Sequence, residues 1–136
     1  MSFPHGPFQI KLRDENLVLD VKQGVVDPGA EIIIWRSRKD EPDNDNQKWI
    51  YENGQLKNVK SDLVLTAAAF NSGVGIAQHP GQSSETQCYD YYDYTISAKE
   101  DDDLVIGASS KSEGSNVHLV RRDNDDFKQM WEIVSV

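Results

Sequence analysis

Cysteine and histidine are scarce in this sequence of 136 residues. Cys88 is the single cysteine, so a disulfide within the chain is impossible, and no nucleophile signature surrounds it. The histidines His5, His79 and His118 do not have the spacing of metal ligands. We therefore expect no catalytic residue, no metal and no cofactor, and we do not expect an enzyme.

Targeting and membrane-spanning segments are also lacking. The first seven residues contain neither the basic stretch nor the apolar stretch of a signal peptide. No apolar run is long enough to cross a bilayer, and no Asn-x-Ser/Thr glycosylation acceptor occurs. Together with the single cysteine, these absences predict a cytoplasmic protein, although secretion by an unconventional route would leave no mark in the sequence.

Positive charge is in the minority. Lys and Arg total 14 and Asp and Glu total 23, which gives a formal net charge of −9. A field of this sign repels the phosphate backbone of nucleic acids and the surface of anionic membranes. We expect neither nucleic acid nor membrane insertion, whereas a neutral ligand such as a sugar is indifferent to the field.

The apolar residues that are present form short bursts rich in β-formers. No segment holds apolar residues at helical spacing over three turns. The bursts are separated by turn residues such as Asp27-Pro28-Gly29 and Asn53-Gly54, which is typical of an all-β sandwich or barrel.

An internal repeat decides between these two architectures. Asn16–Asp20, Asp62–Thr66 and Asp103–Gly107 open alike, at intervals of about 40 residues. Each opening is followed by a turn, a second apolar strand and an aromatic residue that starts another strand. Units of about four strands cannot bury a face alone, but three of them can share one core around a pseudo-threefold axis. This predicts one β-trefoil domain over residues 1–136, with repeats at 8–53, 54–98 and 99–136.

Two of the repeats carry the same short motif. Gln47-Lys48-Trp49 and Gln129-Met130-Trp131 resemble the Gln-x-Trp signature of the ricin-B-type trefoil lectins, and Tyr92–Ile96 is interpreted as a degraded copy in the second repeat. The resemblance extends from Phe8 to the last residue and includes cytosolic fungal trefoil lectins that lack disulfides. It implies a twelve-stranded trefoil that binds galactose or N-acetylgalactosamine at up to three shallow sites.

The first repeat matches the family's sugar site. Such a site needs a carboxylate for the hydroxyls, an aromatic ring for the C–H face of the sugar and an amide for orientation. The resemblance assigns these roles to Asp20, Trp35 and Asn46, and it makes Gln47 a buttress behind the carboxylate. Ile33 stands where the family often has Gln, so one polar contact is lost. From the residues alone, Asp20 could instead cap a turn, and Trp35 could simply end a buried strand.

The other repeats lack the carboxylate. At the three corresponding positions the second repeat has Thr66, His79 and Tyr92, and the third has Gly107, Val120 and Gln129. One site is therefore expected, although the tyrosines near position 90 could serve a different glycan. Asp40–Asp45 lacks the residue order of a calcium loop, so we expect binding without calcium.

Two other functions remain open. A trefoil can inhibit proteases through an exposed loop, for which Asp40–Asp45 or His79–Cys88 could serve. It can also bind proteins through its acidic surface with no sugar ligand. If it is a lectin with one site, agglutination would require a homodimer.

Overall fold

Twelve β-strands and four short 3-10 helices form the regular structure of residues 2–136, the part of the chain that the computed structural model describes. No α-helix occurs in this range, so no helix there is long and apolar enough to span a membrane. The strands are β1 (Phe8–Leu12), β2 (Leu17–Val21), β3 (Ile32–Arg36), β4 (Trp49–Glu52), β5 (Gln55–Asn58), β6 (Val64–Ala67), β7 (Val74–His79), β8 (Tyr89–Tyr92), β9 (Thr95–Ala98), β10 (Asp101–Ala108), β11 (Val117–Arg121) and β12 (Trp131–Ser135).

The strands form a barrel and a cap of three hairpins. The barrel contains antiparallel pairs between β12 and β1, β1 and β4, β4 and β5, and β8 and β9. The hairpins β2–β3, β6–β7 and β10–β11 meet one another through β3, β7 and β11. This is the all-β trefoil predicted from the repeat. Grouped by fours, the strands put β9 at the start of the third unit, whereas the sequence-based boundaries put it at the end of the second.

Three large aromatic side chains occupy equivalent positions in the core. Trp49, Tyr89 and Trp131 each open the last strand of a unit, and each is fully buried. The indole of Trp49 donates a hydrogen bond to the carbonyl of Leu19 at 3.3 Å, and that of Trp131 donates to Ile106 at 2.9 Å. Because Leu19 and Ile106 are equivalent in the repeat, the two tryptophans hold the barrel to their hairpins in the same way.

The second copy of the motif lies at a different place from the one predicted. Trp49 pairs with the last residue of the next strand, and Tyr89 does the same, so the copy is Gln87-Cys88-Tyr89. The prediction that Tyr92 takes the amide position is therefore wrong, because Tyr92 is 70% exposed and Gln87 is buried. A phenol replaces the indole here, which hid the motif in the sequence.

Phe3, in the segment before β1, forms an aromatic plug in the core. Phe3 is only 7% exposed. Its ring lies 4.5 Å from the ring of Tyr51 and 5.4 Å from the rings of Phe8 and Tyr91, measured between centroids. The core thus extends beyond β1 to residues that precede the repeats.

Candidate functional site

A pocket of about 490 Å³ opens beside the first hairpin. All three units contribute to its wall, because Lys60 comes from the second unit and Gly114 from the third. Its lining residues are Asp20, Lys22, Gln23, Gly24, Ile33, Trp35, Arg38, Asp43, Asn46, Lys60 and Gly114. Four of the five site residues named from the sequence therefore line one pocket, and Gln47 lies behind it.

Asp20 provides a buried carboxylate at the base of the pocket. It lies on β2, paired with Ile33 of β3, and only 4% of its surface is exposed. The side-chain amide of Gln47 donates to one carboxylate oxygen at 3.0 Å, and that of Asn46 donates to the other at 3.2 Å. Burial raises the pKa of Asp20 from its ordinary 3.8 to about 6, against the opposing effects of the Gln47 hydrogen bond and the Arg38 charge.

Gln47 holds this carboxylate from behind. Its amide nitrogen donates to Asp20 and also to the carbonyl of Arg36 at 2.9 Å. Its amide oxygen accepts from the backbone N–H of Arg38 at 2.8 Å and from the side chain of Gln9 at 3.4 Å. Every hydrogen-bonding group of this side chain is thus engaged within the protein. The geometry suits a supporting role for Gln47, which stays a prediction.

Trp35 and Ile33 provide the apolar part of the wall. Trp35 is half-buried at the end of β3, whereas Ile33 is 5% exposed. Gly114 lies against the indole, since a Cβ at this position would be 3.6 Å from the Trp35 Cζ3 atom. Gly114 has a φ of +90° and donates its N–H to the carbonyl of Ile34 at 2.7 Å. The third unit thereby fixes one side of the aromatic platform.

Asn46 is oriented by an arginine that sequence reasoning missed. Its amide nitrogen donates to Asp20 and to the carbonyl of Val21, at 3.2 and 3.1 Å. Its amide oxygen accepts from Arg38 Nη2 at 2.6 Å, and Arg38 Nη1 donates to the carbonyl of Asp43 at 2.9 Å. Both N–H groups of the Asn46 amide are thus engaged within the protein, and its oxygen keeps one lone pair as an acceptor. The sequence shows the basic run from Arg36 to Lys39, but it does not show that the Arg38 side chain lines the pocket.

The corresponding place in the second unit has no carboxylate. Thr66 donates its hydroxyl to the carbonyl of Val64 at 2.9 Å and accepts from the Gln87 amide at 3.2 Å. His79, at the position of Trp35, is exposed and pairs with Val64. The hydroxyl is therefore a weaker and already bonded substitute for the charged acceptor of the first unit.

In the third unit the same place is filled by side chains. A Cβ at Gly107 would meet Val120 Cγ2 at 3.0 Å and Gln129 Cγ at 3.2 Å. The amide of Gln129 bonds to the carbonyl of Arg121 and to the N–H of Asp123, at 3.0 and 2.8 Å. This unit has neither the space nor the carboxylate of the first.

A second, wider hollow of about 720 Å³ lies near the loop between β7 and β8. Gln55, Lys99 and residues 81–85 line it together with Cys88, and no aromatic side chain contributes. The other loop considered for protease inhibition, Asp40–Asp45, borders the first pocket through Asp43. No group of three or more His, Cys, Asp or Glu side chains within residues 2–136 is arranged to hold a metal ion.

Comparison with known proteins finds similarity in structure. No protein-family model matches the sequence, and no curated protein matches it. The C-terminal half of an earthworm R-type lectin in complex with GalNAc has a TM-score of 0.86 at 23% identity, over 98% of this chain and 100% of that one. The mdaA-1 domain has a TM-score of 0.88 at 28% identity, over 99% of this chain and 93% of that one. ThreeFoil, a designed threefold-symmetric protein, has a TM-score of 0.85 at 20% identity, over 96% of this chain and 99% of that one.

These matches confirm the fold and the resemblance. The chain is a β-trefoil that is similar in structure to the ricin-B-type trefoil lectins, as the Gln-x-Trp motifs indicated.

Proposed function

We propose that this protein is a carbohydrate-binding lectin that takes galactose- or N-acetylgalactosamine-type glycans in the first-unit pocket, without calcium and without catalysis. The observation that carries the proposal is the meeting of the Asp20 carboxylate, the Trp35 ring and the Asn46 amide in one pocket. A sugar ring offers hydroxyls on its edge and C–H groups on its face, and these three groups recognise both. The similarity to a lectin bound to GalNAc supports the same ligand class.

In this proposal Asp20 is the principal acceptor. Each of its oxygens already accepts one amide hydrogen bond, so further lone pairs are left for sugar hydroxyls. At neutral pH, above its pKa of about 6, the carboxylate is mostly ionised, and hydrogen bonds to a charged acceptor are the strong ones. The two amides hold the carboxylate in place, so little ordering is needed when the ligand arrives.

The remaining contacts follow from the lining of the pocket. Trp35 covers the C–H face of the ring, and Ile33 extends the apolar surface next to Asp20. Asn46 accepts a hydrogen bond from a hydroxyl, and Arg38 donates one, because both hydrogens of the Asn46 amide are engaged by the protein. Arg38 thereby adds a polar contact to a pocket in which Ile33 stands where the family often has Gln.

Binding through one unit has a consequence for assembly. The second and third units have no counterpart of Asp20, so we propose one sugar site in each chain. Cross-linking of glycoconjugates would then require a homodimer, since a single site cannot bridge two ligands.

A glycan array probed with and without a calcium chelator tests the proposal. We expect binding to terminal galactose or N-acetylgalactosamine, unchanged by chelation. Titration of ¹⁵N-labelled protein with methyl galactoside then locates the site, because the indole N–H of Trp35 should shift while those of the buried Trp49 and Trp131 stay in place. A silent array together with an unperturbed spectrum would contradict the lectin function.

A further inference from the structure

Three cationic side chains line the first-unit pocket of an acidic protein. Lys22, Arg38 and Lys60 face two acids there, Asp20 and Asp43, although the whole chain has 14 basic and 23 acidic residues. Six other Lys or Arg side chains lie within 4.0 Å of a carboxylate oxygen among residues 2–136, and none of the pocket's three does so. The pocket thus holds three cations and two acids, with no ion pair among them, and its formal charge is positive.

Lys60 reaches this pocket because the fold makes room for it. Its backbone N–H donates to the Asn58 side chain at 3.1 Å, and the Asn58 amide donates to the carbonyl of Asn46 at 3.0 Å. A side chain at Gly24 would place its Cβ 2.6 Å from the Lys60 Nζ atom. The ammonium group therefore occupies the space left by the missing side chain of Gly24, where φ is +65°.

Arg38 is held with its charge directed at the same space. Its guanidinium bonds to two uncharged oxygens, the side-chain oxygen of Asn46 and the carbonyl of Asp43. These bonds fix its orientation without cancelling its charge. A guanidinium has five N–H groups in a planar fork, which suits the paired oxygens of a carboxylate or a sulfate.

A neutral sugar can accept a hydrogen bond from Arg38, but it offers no negative charge to the three cations. The three cations repel one another, the two acids of the pocket offset this repulsion only in part, and a bound anion would relieve the rest. The overall negative charge opposes this only weakly, because charges farther apart than about 8 Å are largely screened at physiological salt. The groups of the pocket therefore decide which ligand it prefers.

We infer that the pocket selects an acidic glycan, a galactose-type ring whose anionic substituent, a sulfate ester or a carboxylate, faces Lys22, Arg38 and Lys60. The inference rests on the proposed function, since the ring itself is recognised by Asp20 and Trp35. It adds that the preferred ligand carries a negative charge.

Calorimetric titration of the wild-type protein with methyl galactoside, a sulfated galactoside and a sialylated galactoside tests this directly. We expect at least one acidic ligand to bind about tenfold tighter than the neutral one at about 150 mM salt. Raising the salt to about 500 mM should remove most of that preference. The sulfated and sialylated arms distinguish the two sources of the negative charge.

Charge removal within the pocket gives the second arm. Lys22→Gln and Lys60→Gln should each lower the ratio of acidic to neutral affinity by about threefold, because each removes one exposed charge contact. Lys99→Gln is the matched control. Lys99 is also an exposed lysine, but it lines the other hollow, so this variant should keep the wild-type ratio. The ¹⁵N spectrum of each variant checks that it is folded.

The outcomes separate the two proposals. Equal affinity for neutral and acidic galactosides would overturn the charge preference and leave the lectin function standing. No binding of any galactoside would overturn both. If methyl sulfate alone bound as tightly as the sulfated galactoside, the ring would contribute nothing, and the inference of an acidic glycan would be wrong.

Discussion

Replacement of Asp20 by alanine removes the charged acceptor from the pocket while leaving Trp35 and Asn46 in the chain. A hydrogen bond to a charged group contributes about 1.5–3 kcal/mol. Because about 1.4 kcal/mol corresponds to a tenfold change in affinity, methyl galactoside should bind at least tenfold and up to about a hundredfold more weakly.

The effect of Asp20→Ala on the free energy of unfolding should be smaller than its effect on galactoside binding. The variant leaves one N–H of Gln47 and one of Asn46 without an acceptor, at about 1–3 kcal/mol for each group that stays dry. It also relieves the burial of a carboxylate whose pKa is raised from 3.8 to about 6, which corresponds to about 2 kcal/mol after allowance for solvent screening. These terms have opposite signs, and water that enters the opened pocket can satisfy the two N–H groups and so reduce the first term.

The assay is a titration followed through the Trp35 indole resonance, together with chemical denaturation of the same samples. Thr66→Ala is the matched control, because Thr66 is the equivalent residue of the second unit and the variant should bind like wild type. If folded Asp20→Ala bound methyl galactoside with wild-type affinity, the assignment of the site to the first unit would be refuted.

Four further predictions concern the protonation of Asp20, the Trp35 ring and the Phe3 side chain. Affinity for a neutral galactoside should fall as the pH is lowered through about 6, since Asp20 then gains a proton; titrations between pH 5 and 7.5 at constant salt measure this, and a flat profile would contradict it. The contribution of Asp20 to the free energy of unfolding has the opposite pH dependence. Because the pKa of Asp20 is raised in the folded state, this contribution is complete below pH 3.8 and is lost as the pH rises through about 6. Denaturation of wild type and Asp20→Ala across this pH range measures it. Trp35→Ala should abolish galactoside binding in a calorimetric titration, which does not depend on the Trp35 resonance. His79→Ala at the equivalent position should not change binding, and equal losses in both variants would argue against a single site. Phe3→Ala should lower the free energy of unfolding by about 3 kcal/mol through loss of the aromatic plug, with no change in galactoside affinity; an unchanged denaturation midpoint would show that the plug is dispensable.

The architecture was readable from the sequence because its signals are local and repeated. The openings at Leu17, Leu63 and Leu104 recur since each unit buries the same hairpin face against the same core. Gln47 and Trp49 could be recognised as a pair because Gln47 holds the Asp20 carboxylate and Trp49 fills the barrel core. In the second unit Tyr89 replaces the tryptophan of the motif, so the sequence pattern placed the motif wrongly at Tyr92.

The sequence by itself determined the trefoil and the candidate set of Asp20, Ile33, Trp35, Asn46 and Gln47, whose binding roles remain predictions. Only the tertiary structure decided what surrounds that set. Lys60 and Gly114 are distant in sequence and arrive in the pocket because the three hairpins meet around one axis. The raised pKa of Asp20 is likewise a product of burial, and the positive character of the pocket comes from side chains whose directions depend on the closed fold. Strand patterns depend on neighbouring residues, whereas a pocket depends on which surfaces the closed chain brings face to face.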